Sequence, residues 1–177
     1  MLKFILRIFF QNVFDLEIFR SHYFKNGYMG YRWVLTAYMY RNVLRLAPTH
    51  RFPIGNQTFV SNFDNIDFCL DDLNNFQSPG CYFQCFEGQI KIGKGTYIGP
   101  NVGLITSNHD PTELKGHRPP QHINIGKNCW IGMNSIILPG VTLADNTIVG
   151  AGSVVTKSSL SPGRTIFGNP AKQSLNP

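Results

Sequence analysis

The chain of 177 residues can form one domain with a core, and 42% hydrophobic against 15% charged residues excludes a disordered protein. The formal charge of +6 is confined to residues 1–51, which carry eight basic and two acidic side chains; the other 126 residues are neutral. This local excess argues against a nucleic-acid-binding protein. The four cysteines form no CxxC pair, which favours reduced thiols and a cytoplasmic location.

Residues 1–52 form a distinct N-terminal segment that contains 13 of the 23 aromatic residues. The stretch LKFILRIFFQNVFDLEIF predicts a helix with apolar residues around most of its circumference. Arg7 interrupts the apolar start, so no secretory signal or spanning helix is predicted. Two interpretations stay open: the segment covers the end of the following domain or a neighbouring subunit, or residues 1–45 make peripheral contact with the inner face of a membrane.

An aliphatic residue recurs every six positions over much of the remaining chain. The series is weak at Ile54, Val60 and Ile66, and Asp67–Cys85 fit no frame. It is regular at the following positions: Ile92, Ile98, Leu104, Ile125, Ile131, Ile137, Leu143, Val149 and Val155. A period of six predicts one short strand and one tight corner per hexad, and three hexads make one coil of a triangular β-solenoid. The residue after the aliphatic one is mostly glycine, which relieves crowding at a corner.

The six-residue period stops between Leu104 and Ile125. The intervening residues lack aliphatic side chains at the required positions and carry three prolines and Gly116. They therefore predict a loop extruded at about 107–122, whose ends lie close together because the coils resume in register. His109 lies at the root of this loop in TSNHDP, where the last coil can hold it. An imidazole there is a candidate general base, and Asp110 could orient it.

The segment INIGKNCWIGMNSIILPGVTLADNTIVGAGSVVTKS and the closing GNPAK resemble the hexapeptide-repeat acetyltransferases, over roughly residues 86–172. Galactoside and maltose acetyltransferases and bacterial polysaccharide O-acetyltransferases are the relatives that the sequence resembles most. The resemblance implies an all-β, left-handed parallel β-helix at 53–172, with a tail at 173–177. It also implies acetyl-CoA as co-substrate, no metal, and a homotrimer whose active sites lie between adjacent solenoids.

The resemblance assigns His109 as the general base that deprotonates the acceptor hydroxyl. Trp130 would line the slot near the acetyl group, Glu87 would contact an acceptor sugar, and Asn108 is a further candidate substrate contact or a turn residue. An acceptor-site asparagine of galactoside-type enzymes is missing from SPGCYFQCFEG, so the acceptor's identity stays open.

The candidate acetyl-CoA site lies further along the chain. Gly132 and Gly150 would allow close approach of the pantetheine arm, which Met133 and Ala151 would flank. Thr156 and Lys157 would lie near the nucleotide. Lys172, placed by a turn at Gly168-Asn169-Pro170, would join Lys157 and Arg164 in binding phosphates.

These features predict an acetyl-CoA-dependent O-acetyltransferase that acts on a saccharide hydroxyl, such as that of a cell-surface polysaccharide or its precursor. Serine and nucleotide-amino-sugar acetyltransferases are alternatives within the class. A zinc enzyme like the γ-class carbonic anhydrases is an alternative outside it, with His117, His122 and Cys81 as ligands. A non-enzymatic solenoid that serves only in assembly is a third.

Overall fold

The computed structural model describes residues 2–174, so residues 175–177 of the predicted tail lie outside the described residues. The N-terminal segment is helical, as predicted. It contains α1 (Leu2–Phe10), a 3-10 helix (Leu16–Arg20), α2 (His22–Lys25), α3 (Met29–Tyr38) and a π-helical turn (Met39–Val43). Two further 3-10 helices follow, at Phe63–Asn65 and Leu70–Phe76.

Fourteen short strands follow the N-terminal segment within the described residues. They are β1 (Phe59–Val60), β2 (Ile66–Phe68), β3 (Tyr82–Gln84), β4 (Ile90–Ile92), β5 (Tyr97–Ile98), β6 (Gly103–Ile105), β7 (Ile123–Ile125), β8 (Trp130–Ile131), β9 (Ile136–Ile137), β10 (Thr142–Leu143), β11 (Ile148–Val149), β12 (Val154–Val155), β13 (Thr165–Gly168) and β14 (Ala171–Gln173).

The strands form three sheets, and from β1 to β13 each strand of the chain passes to a different sheet from the one before. Sheet A has the order β1-β3-β6-β9-β12, sheet B has β2-β4-β7-β10, and sheet C has β5-β8-β11-β13-β14. All pairs are parallel except that of β13 with β14. This is the predicted triangular solenoid, with one strand of each sheet per complete coil.

The six-residue period places its aliphatic side chains inside the solenoid. Each of the nine regular positions from Ile92 to Val155 is at most 4% exposed, which confirms the prediction. They stack in register from coil to coil, as Leu104 on Ile137 and Ile137 on Val155. Full burial of one such side chain stabilises the fold by about 1.5–3 kcal/mol, so the stacked columns supply the main stabilisation.

The corners of the coils depend on residues that tolerate a positive φ. Three residues after most inward aliphatic positions, the backbone has a φ between 53° and 80°. Only asparagine or glycine occupies these positions: Gly95, Asn101, Asn128, Asn134, Gly140, Asn146 and Gly152. These two residue types enter the left-handed region at the least cost, so each coil can turn without strain.

The solenoid begins earlier than the residues that carried the resemblance. The weak positions Val60 and Ile66 are buried in β1 and β2, and the 3-10 helix Leu70–Phe76 takes the place of a strand on the third side. Strand β3 was missed, although its Phe83 is fully buried between Val60 and Leu104. An aromatic residue outside the six-residue frame gave no periodic signal for it.

The inner side of the N-terminal segment covers the first coil. Phe10, Ile18 and Phe24 are buried in the same apolar cluster as the solenoid core. The Tyr23 hydroxyl donates to Asn74 Oδ1 over 2.9 Å, and buried Arg41 donates to the carbonyls of Pro48 and Gly55. The segment therefore covers one end of the solenoid, as the first interpretation expected.

Glycine at a corner is required by the closeness of the next coil, which can be tested at Gly126. A Cβ there would lie 2.6 Å from the backbone nitrogen of Asp145 and 2.7 Å from the carbonyl carbon of Ala144. We expect Gly126→Ala to lower the free energy of unfolding by about 2 kcal/mol, because neither backbone atom can move without separating the coils.

Urea unfolding monitored by circular dichroism measures this change. Gly27→Ala is the matched control, since no atom lies within 4 Å of its added Cβ and its stability should change by less than about 0.5 kcal/mol. Equal stability of the two variants would contradict the packing account.

Candidate active site

The residues between β6 and β7 leave the solenoid as a hairpin, as the break in the period predicted. His109 and His117 form an antiparallel bridge, Arg118 N donates to Asn108 O over 2.9 Å, and Gln121 N donates to Thr106 O over 2.8 Å. Its two arms therefore run side by side from a common root at the corner between sheets A and B. The loop has a defined backbone that can hold a functional side chain.

Gln84, at the end of β3, fixes the root of the hairpin to the neighbouring coil. Its Oε1 accepts from the backbone N–H groups of Thr106 and Ser107, each over 3.0 Å, and its Nε2 donates to Ser107 O over 3.1 Å. The buried Thr106 hydroxyl adds a bond of 2.8 Å to Gln84 O. Sequence reasoning missed Gln84, because β3 was not identified.

One ring nitrogen of His109 is hydrogen-bonded, and the other has no hydrogen-bond partner among the described residues. Its Nδ1 lies 2.8 Å from the carbonyl oxygen of Leu114. A carbonyl can only accept, so Nδ1 carries the proton and Nε2 carries the lone pair of the neutral ring. The exposed side chain also contacts the His117 ring, with 4.4 Å between ring centroids. This is the arrangement that a general base needs.

Asp110 does not orient His109, contrary to the hypothesis drawn from their adjacency. Its Oδ1 accepts from the backbone N–H of Thr112 over 2.8 Å and from the Thr112 hydroxyl over 2.6 Å. These hydrogen bonds hold the pKa of Asp110 below its usual range. Asp110 thus stabilises the tip of the hairpin, and the Leu114 carbonyl takes the orienting role that the hypothesis gave to Asp110.

A cavity of about 350 Å³ lies beside one face of the hairpin. Its lining residues are Gln84, Phe86, Glu87, Ser107 and His117. Since side chains alternate along an extended arm and His109 lies opposite His117, His109 shares the face of Ser107 and His117. The structure thus brings predicted acceptor residue Glu87 and predicted base His109 to the same side of the hairpin.

A second cavity of about 310 Å³ lies along the opposite face. It is lined by Asn108, Arg118, Pro119, Gln121, Leu138, Pro139 and Thr156. Asn108 is therefore separated from His109 by the hairpin itself and lies with Thr156, a predicted acetyl-CoA residue. Within one chain, Asn108 therefore lies on the opposite side of the hairpin from His109 and Glu87.

Trp130 lies on a different side of the prism from the hairpin. It is 58% exposed on the outer face of sheet C, between Tyr97 and Ile148 of the adjacent strands. The hairpin leaves between sheets A and B. Within one chain, the structure does not bring Trp130 to His109.

The predicted acetyl-CoA residues lie at the corners where the chain enters and leaves sheet A, and on the last strand of sheet C. Gly132-Met133 and Gly150-Ala151 stack in successive coils at the corner from sheet C to sheet A. Thr156 and Lys157 follow β12, at the corner where the chain leaves sheet A. Lys172 lies on β14. The predicted turn before Lys172 is confirmed as the β13–β14 hairpin, but Lys157 and Lys172 lie on different sides of one chain.

Glycine at 132 and 150 has a structural cause inside the chain. A Cβ at Gly132 would lie 2.6 Å from Ala151 N, and one at Gly150 would lie 2.8 Å from the Phe167 Cβ. Coil stacking therefore already requires glycine at both positions. The assignment of these two glycines to pantetheine binding rests on the resemblance alone.

The three candidate zinc ligands each contact a different group of the protein. His117 contacts the His109 ring, and Nδ1 of His122 accepts from Gln89 N–H over 3.0 Å. Cys81 is 1% exposed, its thiol lies 3.3 Å from Gly99 O, and burial raises its pKa. Within residues 2–174, no three His, Cys, Asp or Glu side chains are grouped as a metal site.

Comparisons with known proteins agree with this architecture. The family profile described as bacterial transferase hexapeptide (six repeats) matches residues 122–157. The galactoside O-acetyltransferase of Escherichia coli (strain K12) is 45% identical over 71 residues, which are 38% of this chain and 35% of that protein. A protein of Staphylococcus aureus (strain COL) that is named as an acetyltransferase is 41% identical over 141 residues, which are 71% of this chain and 69% of that protein.

A solved structure shares the fold. It is a hexapeptide-repeat acetyltransferase of Vibrio cholerae O1 biovar El Tor in complex with acetyl coenzyme A, with a TM-score of 0.50 and 25% identity over 68% of this chain and 57% of that one. The chain spans only 35–50% of the length of several curated relatives that it matches. The similarity to the S. aureus protein nevertheless extends over more than two thirds of that relative. With its matching repeats and its solenoid, the chain belongs to the hexapeptide-repeat acetyltransferase family.

Proposed function

We propose that this protein transfers an acetyl group from acetyl-CoA to a hydroxyl of a saccharide, with His109 as the general base. The observation that carries the proposal is the state of the His109 ring. Nδ1 is tied to the Leu114 carbonyl, which directs the Nε2 lone pair to the other side of the ring. The relative named galactoside O-acetyltransferase supports a saccharide as the acceptor. The similar structure described as a complex with acetyl coenzyme A supports acetyl-CoA as the donor.

The reaction proceeds by addition and elimination at the thioester. His109 Nε2 removes the proton as the acceptor oxygen attacks the acetyl carbonyl carbon, which gives a tetrahedral oxyanion. Collapse of this intermediate breaks the C–S bond, and the imidazolium returns the proton to the leaving sulfur. Backbone N–H groups of the coil or the indole N–H of Trp130 stabilise the oxyanion. The fixed hairpin lowers the barrier by holding base and acceptor in register.

The cavity beside Glu87 is the proposed acceptor site. The Glu87 carboxylate can accept hydrogen bonds from sugar hydroxyls, and the exposed Phe86 ring offers an apolar surface to the face of a sugar. Gln84 and Ser107 border the same cavity, but their side chains are engaged in holding the hairpin root. Glu87 is consequently the charged side chain of this lining that is available for an acceptor.

A homotrimer completes the proposed site, and the chemistry of the three outer faces supports it. Sheets A and C expose apolar rows, with Phe59, Tyr82 and Ile136 on A and Tyr97, Trp130 and Ile148 on C. Sheet B exposes a polar row: Asp67, Lys91, Asn124 and Thr142. Two apolar faces per chain suit a closed ring in which sheet A of one subunit meets sheet C of the next. Trp130 would then reach the hairpin side of a neighbour.

Serine and nucleotide-amino-sugar acetyltransferases remain within-class alternatives, and a screen of acceptors separates them. Thiol release from acetyl-CoA is measured with free sugars, oligosaccharides, nucleotide-linked amino sugars and serine. A saccharide hydroxyl should give the highest kcat/KM. An amine acceptor preferred over every hydroxyl would contradict O-transfer to a saccharide.

Replacement of His109 tests the base. We expect His109→Ala to reduce kcat for thiol release by about 10²–10⁴-fold, because proton removal from the attacking hydroxyl loses its positioned base. The same variant should keep the wild-type melting temperature, since His109 is exposed.

His122→Gln is the matched control from the other arm of the hairpin, because its side-chain oxygen can still accept the Gln89 N–H. It should retain activity within about threefold. Full activity of His109→Ala would refute the role of His109. A large loss of activity in His122→Gln, together with stoichiometric zinc in the purified protein, would favour the zinc enzyme like the γ-class carbonic anhydrases.

Replacement of Glu87 tests the acceptor site. We expect Glu87→Gln to raise KM for the saccharide by about tenfold, because a neutral amide accepts weaker hydrogen bonds from sugar hydroxyls than a carboxylate does. KM for acetyl-CoA should stay unchanged. Steady-state kinetics with each substrate varied in turn measures both values, and a rise confined to acetyl-CoA would place Glu87 on the donor side.

A further inference from the structure

Helix α1 turns an apolar face away from the protein. Leu6 and Phe10 lie on its inner side, where Phe10 is 1% exposed. Its outer side chains are between 47% and 68% exposed: Leu2, Phe4, Ile5, Ile8 and Phe9. Their spacings of three and four residues place them in adjacent rows of the helix. A helix in water normally directs polar residues outward, so this face has the wrong chemistry for contact with water.

Further exposed apolar side chains lie on the helices and turns that follow α1 in the N-terminal segment. The Phe9 ring lies 5.5 Å from that of Tyr38 in α3, and Lys3 Nζ lies 5.0 Å from the ring centroid of Tyr28. Seven large apolar side chains between residues 28 and 46 are between 44% and 62% exposed: Tyr28, Met29, Leu35, Met39, Val43, Leu44 and Leu46. Together with the five outer side chains of α1, these seven form what we call the N-terminal apolar face.

Positive charge accompanies this face. Of the eight basic residues in 1–51, Arg20 pairs with Glu17, Arg51 contacts Asp15 and Asp64, and Arg41 is buried against carbonyls. Within residues 2–174 the other five form no ion pair with a carboxylate: Lys3, Arg7, Lys25, Arg32 and Arg45. Lys3 and Arg7 belong to α1, Arg32 to α3, Arg45 lies between Leu44 and Leu46, and Lys25 ends the short helix α2. Lys3 donates to the carbonyls of Phe24 and Lys25, and Arg7 lies over the Phe19 ring, but these neutral groups leave the positive charge in place. The segment therefore combines exposed apolar groups with cations that no carboxylate neutralises.

The length of the helices limits how this surface can meet a bilayer. Helix α1 has nine residues, and a spanning helix needs about 20. Among the described residues, the helices are all too short or too polar to cross a membrane. An amphipathic helix of this kind instead lies in the plane of the interface, with its apolar side chains among the acyl chains and its basic side chains at the headgroups.

We propose that the N-terminal apolar face docks the protein peripherally onto an anionic lipid surface. The charge distinguishes this occupant from a second copy of the chain. Two copies that met through this face would bring ten uncompensated cations together, which costs free energy, whereas anionic headgroups neutralise them. The inner side of the segment already covers the first coil, so the outer apolar side chains are not needed for the fold. This inference does not depend on the proposed catalytic function.

Co-sedimentation of the full chain with vesicles tests the proposal. The vesicles contain phosphatidylcholine alone or phosphatidylcholine with phosphatidylglycerol, and the salt is about 0.05 M or about 0.5 M. We expect binding to the anionic vesicles at low salt, weaker binding at high salt, and little binding to phosphatidylcholine alone. Absence of binding to anionic vesicles at low salt overturns the proposal, and so does equal binding to both lipids.

Two sets of variants separate the apolar and the ionic contributions. The triple variant Phe4→Gln, Ile5→Gln, Ile8→Gln should abolish binding, while Leu160→Gln, which changes a 72% exposed residue on the solenoid, should not. Replacing Lys25, Arg32 and Arg45 by Gln should weaken binding about a hundredfold at low salt. The matched control replaces the exposed Lys91, Lys94 and Lys127 of the solenoid and should change it far less.

Melting temperature and mass by light scattering show whether the variants keep their fold and assembly. All the replaced side chains of the N-terminal apolar face are exposed, so we expect both measurements to match wild type. Unchanged vesicle binding by the apolar triple variant overturns the proposal. A reduced oligomer size in that variant, with no vesicle binding by wild type, assigns the face to a second copy instead.

Discussion

The distance between stacked coils governs this structure. Adjacent parallel strands lie about 4.8 Å apart, which leaves little room for side chains at the stacked corners that follow sheets B and C. A Cβ on Gly93 would lie 2.5 Å from the carbonyl carbon of Gly126, and one on Gly99 would lie 2.8 Å from Met133 N. The closeness of the coils accounts for three features of each repeat. They are glycine at the stacked corners, a positive φ at the turn and one branched aliphatic side chain inside. The period is six because each side of the prism takes one short strand and one corner.

The same constraint explains how the solenoid carries a loop without losing its register. Strands β6 and β7 keep their places in sheets A and B, paired to coils on either side, while the hairpin between them projects outward. Gln84, from the preceding coil, fixes the root of the hairpin. The rigidity of the stacked coils is thereby transmitted to His109, whose second support is the Leu114 carbonyl. Positioning of the base is a property of the repeat as well as of the loop.

The sequence was sufficient wherever the chain repeats a local rule. The inward positions from Ile92 to Val155, the place of the excursion and the hairpin before Lys172 were predicted correctly, because each depends on spacing, proline or glycine. It was insufficient where one contact joins residues distant in sequence. Phe83 and Gln84 lie outside the periodic frame, and the partners of Asp110 and His109 depend on how the hairpin folds back. The exposure of the apolar side chains on α1 also depends on how that helix packs on the rest of the chain.

The proposed site joins His109 of one subunit to Trp130 of the next, because one chain places them on different sides of the prism. Mixing subunits measures this directly. His109→Ala and Trp130→Ala chains, each of which we expect to be nearly inactive alone, are unfolded together and refolded in equal amounts before thiol release is assayed. A site shared between subunits regenerates one intact site in each mixed trimer, and about a quarter of wild-type turnover should return. Turnover no higher than that of the separate variants, with mixed trimers formed, would contradict a shared site.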